Sequence, residues 1–315
     1  MATDDFSLLR LGLCCQFAAE PIQFRTTTAT SLLRMPAPER LRKLSDLCLR
    51  NAQALWKAVH YCSDQNIGSF RVASSILPVK THPEVGYRVD ELPAAADIVE
   101  QFQRCGEAAT KLGIRLVFHP DQFVVLNSPR PEVVANAVKD ITYHAELCDW
   151  LGADVINIHG GGAYGDKQSA LALLERNLDL LPDPVRRRLT LENDDKVYTP
   201  EDLLPICRRT GVPMVYDVHH HRCLPDGLSV DEATDAACAT WDREPLLHIS
   251  SPLAGWDGPQ PHRHHDYIDV RDVPDCWRSS ALTVEVEAKA KELAVLKLRD
   301  ELRLTKFALS GLIRL

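Results

Sequence analysis

No two cysteines in this 315-residue chain have Cys-x-x-Cys spacing, although ten are spread from Cys14 to Cys276. That absence argues against zinc clusters and a disulfide scaffold. Cysteines at apolar-periodic positions, such as Cys48 and Cys62, read instead as small core residues in a reducing compartment. The vicinal pair Cys14-Cys15 falls at the end of the first strand, where it would line a cleft. No run approaches the roughly 18 apolar residues needed to cross a bilayer. Met1 to Arg10 carries Asp4 and Asp5 and lacks a long apolar segment, so no secretory signal is expected and the chain reads as cytoplasmic. Missing too are the Gly-x-Ser-x-Gly elbow, the P-loop and the His-Glu-x-x-His helix, which removes three common routes to hydrolysis. No linker or low-complexity tract interrupts the chain, so residues 1–315 read as one domain. Positive charge is in deficit: 36 Lys and Arg face 44 Asp and Glu, a net charge of −8. DNA binders usually carry a basic footprint. Carboxylates that hold divalent ions would reverse the local sign, however, so the global charge does not decide the partner.

What is present is a pattern of acids and histidines. Short apolar runs repeatedly end in a side chain able to ligate a metal. Arg115-Leu116-Val117-Phe118 ends at His119, Val155-Ile156-Asn157-Ile158 at His159, and Leu189-Thr190-Leu191 at Glu192. Met214-Val215-Tyr216 ends at Asp217 with His219, His220 and His221 behind it, Leu246-Leu247 ends at His248, and Leu282-Thr283-Val284 runs into Glu285 and Glu287. If these strands are parallel neighbours, the endings converge on one rim, as at the C-terminal face of a (β/α)8 barrel.

The intervening segments agree. Leu41, Leu44, Cys48, Leu55, Val59 and Cys62 form a helical stripe, and the spacing predicts that Gly68, Gly113, Gly152 and Gly211 each close a helix just before a strand. Eight strands are expected: Leu9–Cys15, Phe70–Ala73, Leu116–His119, Val155–His159, Leu189–Glu192, Met214–Asp217, Leu246–Ile249 and Leu282–Glu287. Strands alternating with helices imply a parallel sheet, and eight units close it into a single TIM barrel. The tail from Lys289 to Leu315 reads as the last helix with a cationic extension.

Imidazole nitrogen combined with carboxylate oxygen suits Zn2+, Mn2+ or Fe2+ better than Ca2+ or Mg2+. Ions a few ångströms apart need bridging carboxylates, for which Glu192 and Glu287 are best placed. Such centres activate water and clamp both oxygens of an in-line phosphoryl displacement. The chemistry expected is metal-dependent phosphodiester hydrolysis.

The motifs also carry a family resemblance. His119-Pro120-Asp121-Gln122-Phe123, Ile158-His159-Gly160-Gly161-Gly162-Ala163-Tyr164-Gly165 and Leu191-Glu192-Asn193-Asp194 occur in that order. Asp217-Val218-His219-His220, His248-Ile249-Ser250-Ser251, His264-His265-Asp266-Tyr267-Ile268 and Glu287-Ala288-Lys289-Ala290-Lys291-Glu292 follow. Together they cover most of the chain, which resembles the UV damage endonuclease family. The resemblance implies a TIM barrel akin to endonuclease IV-type enzymes and xylose isomerases. It implies a centre of three divalent ions, Mn2+ foremost, with Zn2+, Co2+ or Mg2+ as alternatives. It further implies damaged double-stranded DNA as the partner, cut immediately 5′ of cyclobutane dimers, (6-4) products and abasic sites to leave a 3′-hydroxyl. No protein partner and no membrane are implied, and a monomer suffices.

Carried over residue by residue, the resemblance makes His82, His119, His159, Glu192, Asp217, His220, His248, His264 and Glu287 the metal ligands. Glu192, Glu287, His119 and Asp217 would be the catalytic core. By spacing alone Asp217 could act with His219 on one strand face, or with His220 if the chain is already turning; the family pattern selects His220. It likewise selects His264 over His265. Gln122 and Phe123 correspond to a pair that enters the duplex at the lesion, where a distorted photoproduct is cheaper to unstack. Tyr164 and Lys289 are expected DNA contacts, with Arg25, Lys167, Arg222, Arg263 and the backbone of Gly160-Gly161-Gly162 as further candidates.

Two positions depart from the family pattern. Leu246 stands where a lysine is common, and Glu285 where an apolar residue is usual. Residues i and i+2 on a strand share a face, so Glu285 is expected to point into the barrel below Glu287, where a buried carboxylate needs a proton, a hydrogen bond or a metal. Direct metal contact by Glu285 is one expectation. Rival readings are a sugar isomerase on the same barrel, an abasic-site endonuclease without photoproduct preference, and a damage-binding protein without catalysis.

Overall fold

The computed structural model describes residues 9–312. Residues 1–8 of the stretch read for a secretory signal, and residues 313–315 of the tail, lie outside them. Eight strands form a closed barrel in sequence order: β1 (Leu9–Cys14), β2 (Ser69–Val72), β3 (Arg115–Phe118), β4 (Val155–His159), β5 (Leu189–Glu192), β6 (Met214–Asp217), β7 (Leu246–Ile249) and β8 (Leu282–Val286). Neighbours pair in parallel, as in β3–β4, β5–β6, β6–β7, β7–β8 and β8–β1. Parallel strands buried on both faces need continuous apolar runs instead of alternation. Val155, Ile156 and Ile158 of β4 and Leu246, Leu247 and Ile249 of β7 approach this, all buried, with Asn157 and His248 as the polar exceptions.

Strand ends differ from the sequence expectation by a residue. β3 stops at Phe118 and β8 at Val286, so His119 and Glu287 stand on the first residue after their strands. Cys15 lies just beyond β1 with φ 61°, turning the chain away. All ten cysteines are free thiols, six of them buried.

The chain divides into two compact units. One comprises Met1–Glu20, Ile67–Ser69 and Leu191–Leu315. Within it β6, β7, β8 and β1 are consecutive neighbours, and Gly12 of β1 is in register with Glu285 of β8. The other comprises Pro21–Asn66 and Phe70–Thr190. There the helix Ala37–Asp64 buries Leu44, Cys48, Leu55, Val59 and Cys62 along the predicted stripe. The forked contact of Arg115 with Asp154, at 2.7 and 3.0 Å, fastens the starts of β3 and β4.

Three of the four predicted glycine caps are left-handed: Gly113, Gly152 and Gly211 have φ of 70°, 67° and 70°. Gly68 does not follow the expectation. The helix before it ends at Asp64, and Asn66, with φ 53°, makes the left-handed turn. Asparagine tolerates that conformation. Gly68 is small for another reason: a Cβ there would lie 2.3 Å from Arg10 Cγ. Among the described residues no helix is long and apolar enough to cross a membrane.

Candidate metal centre

In the first unit, the strand ends bring carboxylates and imidazoles together. β5 delivers Glu192, β6 Asp217, β7 His248, and the residue after β8 Glu287. Asp217, His248 and Glu287 offer ligand atoms that all lie within 4.8 Å of one another. Glu192 Oε1 is 3.1 Å from His248 Nδ1 and 3.4 Å from His220 Nδ1. Glu192, Asp217 and His248 are buried. Asp217 Oδ2 has no hydrogen-bond partner, and a buried carboxylate oxygen in that state needs a counter-charge.

Between β6 and the following segment the chain turns at once into the short helix Val218–Cys223, with Asp217 as its cap accepting from the His220 amide at 2.8 Å. The turn separates the adjacent histidines. His220 faces Glu192 and Asp217, while His219 packs on the Trp256 ring at 5.2 Å and the His264 ring at 5.1 Å. His221 turns back to Tyr216 and Asp226 as part of the scaffold.

Tautomers follow from the hydrogen bonds. His220 Nδ1 donates to the Asn193 carbonyl at 3.0 Å. Ser250 donates its hydroxyl proton to the Glu287 carbonyl and therefore accepts at 3.2 Å from His264 Nδ1. Both arrangements leave Nε2 as the lone-pair nitrogen. His264 Nδ1 also lies 3.9 Å from Glu287 Oε2. His265 is held by its own turn, its Nδ1 accepting the Tyr267 amide at 3.0 Å.

Charge is concentrated here. Burial opposes protonation of His220, yet the carboxylates of Asp217, Glu192 and Glu287 outweigh it and hold the imidazole well above its ordinary range. Burial drives His219 the other way, aided by the neighbouring His264 and His220 and resisted by Asp217. A cluster that raises the proton affinity of one imidazole so far will favour any cation. With nitrogen and carboxylate donors, the set fits Zn2+, Mn2+ or Fe2+. Glu192, Asp217, His220, His248, His264 and Glu287 are the side chains that could hold it.

In the second unit, the rings of His119 and His159 stand 5.1 Å apart at the ends of β3 and β4. His119 Nδ1 donates to the Pro120 carbonyl at 3.0 Å, which puts the lone pair of the neutral ring on Nε2. His82 lies in a turn after β2 whose Glu84 and Val85 amides donate to its Nδ1 at 3.2 and 3.4 Å. Phe123 is 77% exposed and so is no part of the barrel core, and Gln122 beside it is exposed as well. Tyr164, with φ 48°, is exposed and lays its ring against Gly162, where a Cβ would lie 3.1 Å from Tyr164 Cζ. Gly161 approaches Asn127 so closely that a Cβ would sit 2.1 Å from its Oδ1. The glycine run is thus fixed by packing as well as by its backbone angles.

Other candidates are scattered. Lys289, in the first unit, is exposed. Arg222 is engaged by Asp272 and by the Trp256 ring. The Arg25 backbone is tied down by Asn51, whose side chain also donates to the Ile76 carbonyl.

Three residues important to the site were not assigned a role from sequence. Asn193 clamps the end of β6, donating to the Asp217 carbonyl and accepting from its amide, both at 2.9 Å. Ser250 orients His264. Glu292, fully buried at the start of the last helix, accepts the amides of Ala18, Ala19 and Glu20 and fixes the loop after β1. The first two follow site residues directly or by two positions, which was the available signal. Nothing local marks Glu292, because its partners lie more than 270 residues away.

A parallel eight-stranded barrel with carboxylates and imidazoles gathered at its strand ends defines a TIM barrel with a candidate metal centre. Residues 9–310 match the model of the family UV-endonuclease UvdE. The chain belongs to that family. It is 36% identical over 300 residues to the UV DNA damage endonuclease of Bacillus velezensis, covering 91% of each chain. It is 38% identical over 304 residues to the UV DNA damage endonuclease of Deinococcus radiodurans, covering 92% of this chain and 94% of that one. The solved structure of SacUVDE superposes with a TM-score of 0.84 at 28% identity, covering 95% of this chain and 99% of that one.

Proposed function

We propose that this chain is a DNA repair endonuclease that cuts duplex DNA immediately 5′ of UV photoproducts, and also at abasic sites, leaving a 3′-hydroxyl. The observation that carries this reading is the cluster of buried Asp217 and His248 with half-buried Glu287, joined by Glu192 and His220, in a chain of this family. All strands of a closed parallel barrel end on the same rim. The family resemblance adds His82, His119 and His159 to the proposed ligands Glu192, Asp217, His220, His248, His264 and Glu287. Three divalent ions are proposed, with Mn2+ first.

Bound there, the ions would lower the pKa of a water and stabilise charge on the phosphodiester. The protein's own residues would do the rest. Glu192 and Glu287 would help hold the ions, while Asn193 and Ser250 hold Asp217 and His264 in place. Gln122 and Phe123 enter the stack at the damaged step, where unstacking costs least. The amides of Gly160 to Gly162, with Tyr164 and Lys289, hold the backbone. The enzyme is proposed to act as a monomeric single-domain protein in the cytoplasm.

The test is nicking of an end-labelled duplex carrying one thymine dimer, with Mn2+ or with EDTA, beside an undamaged control. A cut directly 5′ of the dimer, with Mn2+ only, is expected. Cutting at an abasic site alone would leave the metal chemistry and remove the photoproduct reading, and no cutting of either would turn attention to sugar substrates.

A further inference from the structure

Glu285 has no place in the ligand set just described, yet it is buried inside the first unit. Its carboxylate Oε2 lies 3.0 Å from His248 Nε2. The other ring nitrogen, Nδ1, faces Glu192 Oε1 at 3.1 Å and Glu287 Oε1 at 3.5 Å. One imidazole is therefore gripped on both nitrogens, by ligand carboxylates on one side and by Glu285 on the other. The grip is built into the sheet, since His248 of β7 and Glu285 of β8 are in register. Gly12, their neighbour on β1, leaves the room: a Cβ there would lie 3.3 Å from Glu285 Cγ and 3.2 Å from Ser69 Cβ.

We propose that Glu285 is a positioning residue for the metal centre, fixing His248 with its proton on Nε2 so that Nδ1 is the nitrogen offered to the ion shared with Glu192 and Glu287. The inference rests on the metal reading above. A histidine ligand must present a lone pair, so its one proton goes to the remaining nitrogen, and a carboxylate at that nitrogen fixes both tautomer and ring orientation. The imidazole N–H supplies, at Oε2, one of the hydrogen bonds that burial of this carboxylate requires. Leu246, two residues before His248 and in register with Thr283, lies one layer further from the rim and brings no charge of its own. Glu285 is thereby separated in role from Glu287. Glu285 is on β8 and Glu287 on the residue just after it; one meets the ring that meets the ion, and the other meets the ion.

The test uses the full chain, stripped of metal and titrated with Mn2+ against a competing chelating indicator, with bound metal counted by elemental analysis. Glu285→Met should weaken binding about 10- to 100-fold while keeping the wild-type number of ions at saturation. Glu285→Gln, whose amide oxygen can still accept from Nε2, should stay within about threefold of wild type by the same hydrogen-bond logic. Imidazole proton–nitrogen spectra of the Zn2+-loaded wild type, with the His248 signal identified by its loss in His248→Gln, should show the proton on Nε2. Unchanged affinity in Glu285→Met would overturn the proposal, as would loss of one ion in both variants, which would make Glu285 a direct ligand. The spectrum needs no Glu285 variant, so a proton on Nδ1 overturns it even if Glu285→Met fails to fold. A wild-type chain that binds no metal would sink the metal centre itself, and this inference with it.

Discussion

At the scale of single residues, the exposed aromatic is the sharpest case. Phe123 is 77% exposed and carries its ring on a turn whose Asp121 carboxylate caps the Phe123 amide at 3.1 Å. Its side chain contributes little to the core, so Phe123→Ala should change unfolding free energy by no more than about 0.5 kcal/mol. Stacking on a base is worth about 1–3 kcal/mol, so incision at a thymine dimer should fall roughly 5- to 150-fold. Urea melts together with single-turnover nicking check both halves. An unaltered nicking rate would remove Phe123 from lesion recognition. The residue type was legible in sequence because a motif named it, whereas its exposure was not, since a lone Phe after a turn serves a core as readily. His219 and His220 make the converse point: spacing could not separate them, and the helix starting at Val218 assigns them to different neighbours.

At the scale of elements, the helix Pro131–Leu151 does more than cover a strand. Asp140 faces His144 one turn on, at 3.1 Å, and accepts the Thr81 hydroxyl at 3.0 Å, while Lys139 donates to the Thr81 carbonyl at 2.9 Å. The helix thus anchors the loop that carries His82. Burial pushes the Asp140 carboxyl up, but His144, Thr81 and Lys139 outweigh it and leave it below its ordinary value of 3.8. A carboxyl depressed in the folded state adds stability above its unfolded pKa and loses it as pH falls through the folded value. Asp140→Asn should therefore melt below wild type at neutral pH, with the difference closing as pH drops below about 4. Calorimetric melts across that range check it, and a constant difference would mean that ionisation of Asp140 contributes nothing. Helix and strand periodicity were readable from the sequence to within a residue or two. The Gly68 exception arose because close approach, here to Arg10, favours glycine just as a left-handed turn does.

At the scale of the whole molecule, binding of metal to the folded chain alone must raise its stability. At a free Mn2+ concentration about 100 times its dissociation constant, the gain is about 2.7 kcal/mol, a shift of several degrees in melting temperature. The melting temperature should rise with Mn2+ and fall back with EDTA, and identical melts in both would count against a resident ion. The sequence by itself determined the order of strands and helices and the barrel, because periodicity is local and the unit repeats eight times, and it displayed acids and histidines at six of the strand ends. It could not decide what Glu285 faces, which nitrogen each histidine turns inward, or why Glu292 is buried. Those depend on registers such as His248 with Glu285 and on contacts between residues far apart in the chain. Closing the sheet sets β8 beside β1, and the register of β7 with β8 places Glu285 on one side of the His248 ring, opposite Glu192.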